Sequence, residues 1–198
     1  MKKIALIGAP RSGKSVCLKA VQEMFGSNVI VVPEAATILI DQGYEVPKVI
    51  TDEWRYGFQK ELLTLQLELE ARAVTIARNT EADLVVCDRG IVDAFAYMQN
   101  PRALYAELGI TEKDLAERYD AVLYLETSAG KSLKLSDDET MRLEDETEAI
   151  QLEGPTRAAW EQFYTLEVIP AQSRIEDKVQ ELLNELRSIF RLIRNGQH

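Results

Sequence analysis

The 198-residue chain is 46% apolar and carries a formal net charge of −10. The apolar content excludes a disordered chain, and no apolar run approaches the roughly 18 residues of a membrane-spanning helix. The acidity argues against nucleic acid or an anionic membrane as the main partner, though it leaves room for a phosphate ligand held by a local nest of amides and a few cations.

The length suits one domain over residues 1–198 with a substantial core. The N-terminal "MKKIALIG" has two lysines and a short apolar run, but "GAPRSGKS" follows at once. There is no room for a full signal-peptide core, so Lys3 to Ile7 reads as a strand. A glycine-rich loop and an amphipathic helix to about Phe25 follow. "NVIVVPE", Asn28 to Glu34, is a second buried strand, ended by Pro33. "AATILIDQG" predicts a short helix stopped by Gly43. From Asp52 to Asn79 the pattern is helical, with Phe58, Leu62, Leu65, Leu69 and Ile76 on one stripe, widened by Leu63, Leu67 and Val74.

Ala82 to Asp88 is a third strand, and helical material runs from Ile91 to about Leu108. "TEKD", Thr111 to Asp114, offers a capping-box start to a short helix. "DAVLYLE", Asp120 to Glu126, is a fourth strand. Polar residues Ser128 to Asp145 precede a helix over Glu146 to Tyr164. "LEVIPA", Leu166 to Ala171, is a fifth strand. Ser173 and Glu176 are placed to cap a final helix with the stripe Ile175, Val179, Leu182, Leu186, Ile189 and Ile193. Strands apolar on both faces and alternating with helices imply a parallel sheet covered on both sides, a three-layer α/β/α fold. Ligands of such sheets bind beyond the carboxyl ends of the strands. Glu34, Asp88 and Glu126 lie at those ends, as does the glycine loop.

Cys17 and Cys87 sit in apolar segments with no C-x-x-C spacing, which reads as buried small hydrophobes in a reducing cytoplasm. The one histidine, His198, removes histidine metal sites and histidine-based triads from consideration.

"GAPRSGKS" matches G-x-x-x-x-G-K-[ST], with a strand before and a helix after. Gly8, Ala9, Pro10, Arg11, Ser12, Gly13, Lys14, Ser15 and Val16 are therefore the expected nucleoside-triphosphate contacts. The glycines let successive N–H groups face one anion, and Lys14 reaches the β- and γ-phosphates. The new helix adds its positive end. The Ser15 hydroxyl and Asp88 are the expected Mg²⁺ ligands, Asp88 directly or through water, since this ion keeps several waters. Asp88 has a plainer alternative as a helix cap.

The residue after Asp88 is Arg89, where an ATP hydrolase of the common kind places a water-activating glutamate. Guanine-reading and transporter signatures are also missing from the sequence. Transfer of a phosphoryl group asks for cations around the moving charge and a carboxylate to take the acceptor's proton. Arg89 and Glu34 are the candidates, Glu34 having the alternative of a carboxylate at a helix start. "SDDETMRLEDETE", Ser136 to Glu148, within a segment around 130–150, is a candidate lid. Its one base, Arg142, either offers its fork to phosphate oxygens or pairs with the seven carboxylates around it. These residues leave three readings open: a small-molecule kinase using Mg-ATP, a nucleotide-binding regulatory protein or slow ATPase/GTPase without an acceptor, and a degenerate scaffold that binds no nucleotide.

The ordered set "GAPRSGKS", "VVPEAA", "QLELEARA", "VVCDRGIVDAFAY", "YDAVLYLE" and a D-x-x-x-R segment resembles the P-loop kinase-type AAA_28 family of ATP-binding domains, from Lys3 to about Val179. That family includes ribosylnicotinamide kinase domains and is similar to deoxynucleoside and thymidylate kinases. The resemblance implies strand order 2-3-1-4-5 and a nucleoside-like small-molecule acceptor. It implies Glu34 as base or organiser of metal-bound water, and Asp88 and Arg89 as organisers of metal and substrate. It further implies Asp93 and Tyr97 in the acceptor pocket and Arg142 from the lid.

Overall fold

The computed structural model describes residues 1–127 and 146–196. Five strands form one sheet: β1 Lys2–Ile7, β2 Val29–Val32, β3 Leu84–Asp88, β4 Ala121–Leu125 and β5 Leu166–Ile169. All neighbours are parallel and the order is β2-β3-β1-β4-β5. The helices are α1 Lys14–Phe25, α2 Ala35–Asp41, α3 Asp52–Thr80, α4 Ala94–Tyr97, α5 Pro101–Glu107, α6 Glu112–Glu117, α7 Glu146–Glu161 and α8 Ile175–Arg194. Among the described residues no helix is long and apolar enough to cross a membrane.

The strands are apolar on both faces because both faces are covered. Ile4, Leu6, Leu84, Val86, Leu123 and Leu125 pack with Cys17, Leu18 and Val21 of α1 and with Leu182, Leu186 and Phe190 of α8. Ala5, Ile7, Val85, Cys87, Val122 and Tyr124 face the opposite layer, where α3, α5 and α7 contribute Leu63, Leu104, Tyr105 and Trp160. Alternation along each strand separates the two sets. Each large side chain so buried contributes about 1.5–3 kcal/mol relative to exposure. Both cysteines are buried and free, as expected.

Local signals set several boundaries. The Thr51 hydroxyl accepts from the Trp54 amide at 3.1 Å and starts α3. Thr111 and Asp114 form the expected capping box on α6. Two expectations change. The helical stretch from Ile91 to Leu108 is broken into a 3-10 turn, Ile91–Asp93, then α4 and α5. Pro101 opens α5 and drives Asn100 off helical geometry, which forces the break. The final helix is flanked by Arg174 rather than Ser173, and no side chain caps it.

The buried stripe of α3 also differs from the expected one. Phe58 and Leu63 are buried as expected, but Gln59, Gln66, Glu70, Ala73 and Ala77 join them, while Ile76 is exposed. Register carries the strand ends to one edge of the sheet. Leu6 of β1 lies beside Asp88, and Val32 of β2 beside Cys87. The loop after β1, Glu34 after β2, and Arg89 after β3 therefore meet at the carboxyl edge.

Candidate active site

The loop Gly8–Ser15 leaves β1 and enters α1 at Lys14. Lys14 folds back over its own loop. Its Nζ donates to the Gly8 carbonyl at 3.0 Å, the Ala9 carbonyl at 3.1 Å and Ser12 Oγ at 3.3 Å. Burial pushes this ammonium down to about 8, and the neighbouring Arg89 pushes the same way against Asp88, Glu34 and Asp93. Arg11 holds a left-handed backbone, φ 61°, with its Nε buried and no hydrogen-bond partner. Ser15 and Val16 are exposed in the first turn of α1, whereas Ala9 is buried. Pro10 has no N–H to offer a phosphate.

Arg89 is the hub of the edge. Its Nε donates to Glu34 Oε1 at 2.6 Å and its Nη1 to Asp93 Oδ2 at 3.0 Å. The same Nη1 reaches the Gly8 carbonyl at 3.5 Å, so Lys14 and Arg89 converge on one oxygen. Burial opposes the Arg89 charge, but Tyr97, Glu34, Asp93 and Asp88 outweigh it and hold the guanidinium firmly protonated. Burial likewise opposes ionisation of Glu34; Arg89 and Lys14, with the bond from Thr37 at 2.8 Å, overcome it and keep this carboxyl well below the usual carboxylate range. Glu34 occupies the residue before α2 but makes no side-chain cap bond there. Asp88 ends β3 rather than capping, since Gly90 precedes the 3-10 turn.

Buried aromatic side chains that the sequence reading did not single out fix this turn. Trp160 Nε1 donates to Asp93 Oδ1 at 2.5 Å, so both Asp93 oxygens are engaged. The Tyr105 hydroxyl donates to the Ile91 carbonyl, and the Ile91 amide donates to Tyr119 Oη at 3.0 Å. Tyr119 in turn donates to Glu70 Oε1 at 2.7 Å. Glu70 is buried in α3 and pairs with Lys3 at 2.9 Å and Arg118 at 2.8 Å. Gly90 is required here by close approach: a Cβ would fall 2.4 Å from Tyr119 Oη and 2.8 Å from Trp160 Cη2. Arg89 itself is left-handed, φ 68°, an uncommon state for a branched-chain or long side chain that its surroundings enforce.

The donor set suits Mg²⁺. The Ser15 hydroxyl and the Asp88 carboxylate are hard oxygen ligands, and this ion takes only one or two from protein when phosphates supply others. Tyr97 is half-buried and close enough to Arg89 to bear on its charge. A recess of about 270 Å³ is lined by Asp52, Arg55, Tyr56, Gln99, Asn100, Ala103 and Met98, the residue after Tyr97. Glu126 is tied elsewhere, its carboxylate accepting from the Ala171 amide at 3.2 Å. Arg142 and most of the candidate lid lie outside the described residues.

Residues 3–178 match the model of a family described as an AAA domain, AAA_28. Comparison with curated proteins gives no match. Similar solved structures include deoxyadenosine kinase from M. mycoides with bound dATP, at TM-score 0.57 and 17% identity over 94% of this chain and 100% of that one. Thymidylate kinase from Candida albicans is similar at TM-score 0.62 and 15% identity, covering 94% of this chain and 91% of that chain. Shikimate kinase from Acinetobacter baumannii in complex with shikimate gives TM-score 0.57 and 18% identity over 95% and 94%. At these identities the likeness is one of fold, the five-stranded parallel sheet with flanking helices and order 2-3-1-4-5.

Proposed function

The chain belongs to the AAA_28 family of AAA domains, and from that premise we propose that it is a kinase acting on a small, nucleoside-like hydroxyl acceptor with ATP as donor. The observation that carries the reading is the convergence of Lys14 and Arg89 on the Gly8 carbonyl, with the Glu34 carboxylate on the other side of Arg89. Arg89 is matched here by Glu34 and Asp93, so the pull on a polyanion comes from Lys14, the loop amides and the start of α1. A carboxylate within reach of the same point gives an acceptor hydroxyl something to donate to.

In this reading the loop amides and Lys14 hold the triphosphate, and Ser15 and Asp88 hold Mg²⁺. The bound ion supplies charge neutralisation between the phosphates. Arg89 faces the transferring group, where negative charge spreads over three oxygens. Glu34 accepts the hydrogen bond of the acceptor hydroxyl and takes its proton. Held ionised by Arg89, it is a weak base, suited to a loose transition state in which the proton leaves late. Asp93 keeps Arg89 oriented while Tyr97 borders the acceptor, which extends toward the recess near Gln99 and Asn100. Arg142 adds a cation from the segment around 130–150, and residues 1–198 act as one kinase-like unit. The buried free cysteines support a reducing, cytoplasmic setting.

Two of the similar structures are named as a deoxyadenosine and a thymidylate kinase, which supports a nucleoside-like acceptor. The test is ATP consumption with and without a panel of nucleosides that includes nicotinamide riboside. Consumption that rises with one acceptor is the expected result. Equal, very slow consumption across the panel would instead favour a nucleotide-binding regulator or slow nucleotide hydrolase.

A further inference from the structure

We propose that Lys178 of α8 is a positioning residue for nucleotide binding, which fixes the direction of the Gly13 amide in the phosphate loop; this rests on the reading of that loop as a triphosphate site. Lys178 is 1% exposed, yet it lies on the face of α8 that also buries Leu182 and Leu186. A buried ammonium is costly unless its protons find acceptors. Lys178 Nζ donates to the Ser12 carbonyl at 3.0 Å and to the Glu126 carbonyl at 2.7 Å. It thereby ties the loop after β1 to the end of β4, from a helix 166 residues later than Ser12.

The consequence follows from peptide geometry. In a planar trans peptide the C=O and the next N–H point in opposite directions, and the chain has no cis bonds. With the Ser12 carbonyl turned to Lys178, the Gly13 N–H points away from α8. Gly13 takes φ 92°, open to glycine at little cost. It is also tightly packed, because a Cβ there would fall 2.7 Å from Ile175 Cδ1. The first turn of α8 thus sets this peptide by contact through Ile175 and by hydrogen bonding through Lys178. Lys14 ties the Gly8 and Ala9 carbonyls in the same loop, so two lysines from different helices orient its peptides.

The experiment uses the full chain and calorimetry with two probes, Mg-ATP and inorganic tripolyphosphate. Lys178→Met keeps length and apolar bulk but removes the donors and charge. It is expected to weaken both probes by the same factor, about 10- to 100-fold, with the Gly13 amide nitrogen shift moved and the acceptor KM unchanged. Lys178→Arg, which keeps charge and donors, is expected to recover most of the affinity. Tripolyphosphate binding by Lys178→Met equal to wild type would overturn the proposal, as would a loss confined to ATP. Wild type that binds neither probe would overturn the triphosphate reading itself, and this inference with it. Should Lys178→Met not fold, Lys178→Gln, with one short donor, takes its place. If neither folds, Lys178 is a determinant of the fold and the positioning role is refuted.

Discussion

Arg89 Nε donates to Glu34 Oε1 at 2.6 Å, joining the ends of β3 and β2 across 55 residues of sequence. The pair is legible as chemistry because both groups stay charged: the guanidinium holds the carboxylate ionised, and Asp93 holds the guanidinium. Glu34→Gln keeps an oxygen for Arg89 but no longer takes a proton. It should cut turnover by roughly 10²- to 10⁴-fold while Mg-ATP affinity stays within a few-fold. Steady-state kinetics beside calorimetry checks this; full turnover in the variant would return Glu34 to a structural role.

Lys14 gives the site a pH dependence with a definite sign. Its ligand-free value is lowered from 10.5 to about 8, chiefly by burial. Triphosphate binding needs the charged form, so affinity should be highest below about pH 8. Above that it should fall by at most about tenfold per pH unit, with proton uptake on binding near pH 8–9. In the ligand-free fold the same shift acts oppositely: it opposes folding below about pH 8 and is relieved as pH rises toward the unfolded value of about 10.4. Calorimetry in two buffers of different ionisation enthalpy measures the uptake. Flat affinity from pH 7 to 9.5 would contradict the assignment.

Trp160 reaches Arg89 by hydrogen bond through Asp93. Trp160→Phe deletes the Nε1 bond at 2.5 Å while keeping a ring beside Tyr119 and Tyr164. Asp93 then holds Arg89 less firmly. The expected outcome is a fall of about 5- to 50-fold in kcat/KM for the acceptor, with ATP binding unchanged. Unaltered acceptor kinetics would show that Arg89 needs no such support.

Glu70 tests the scaffold behind the turn. Four groups serve it: Lys3, Arg118, Gln66 and Tyr119. Burial opposes its ionisation, but Arg118 and Lys3 outweigh this and lower its value. A carboxylate lowered on folding stabilises above its unfolded value, about 4.3, and loses that stabilisation as pH falls through the folded value. Glu70→Gln should cost about 3 kcal/mol, toward the low end for a broken pair, because the two cations it leaves without a counter-ion, Lys3 and Arg118, are partly exposed. That is a fall of about 6–12 °C in Tm, with a shallower acid limb below about pH 4. Thermal melts from pH 3 to 7 would show it, and a variant with wild-type Tm would discount the network.

The strands and the phosphate loop were plain in the sequence because both follow from local patterns: apolar runs, and a glycine spacing between a strand and a helix. Glu34 and Arg89 could be nominated as strand ends, but their pairing depends on β2 lying beside β3, which no local pattern carries. On α3 the centre of the buried face lies one residue, or about 100°, from the expected Leu62, Leu65 and Leu69, at Leu63, Gln66 and Glu70; Leu63 was expected only at the margin of the stripe, and Leu69 is half-buried against the core. Polar residues count as exposed in a periodicity, yet Gln66 and Glu70 are buried because they bond each other and partners distant in sequence meet Glu70. Lys178 carried a readable signal, a lysine between Ile175 and Leu182 on an otherwise apolar stripe. Trp160 carried none beyond its size; its bond to Asp93 exists only once α7 packs on the turn after β3.

The most direct measurement is the fate of the γ-phosphoryl group. With γ-labelled Mg-ATP and the nucleoside panel, the account predicts label on a phosphorylated acceptor, formed by wild type and lost in Glu34→Gln while that variant still binds ATP. Label found only as inorganic phosphate, at one slow rate whether or not an acceptor is present, would contradict it.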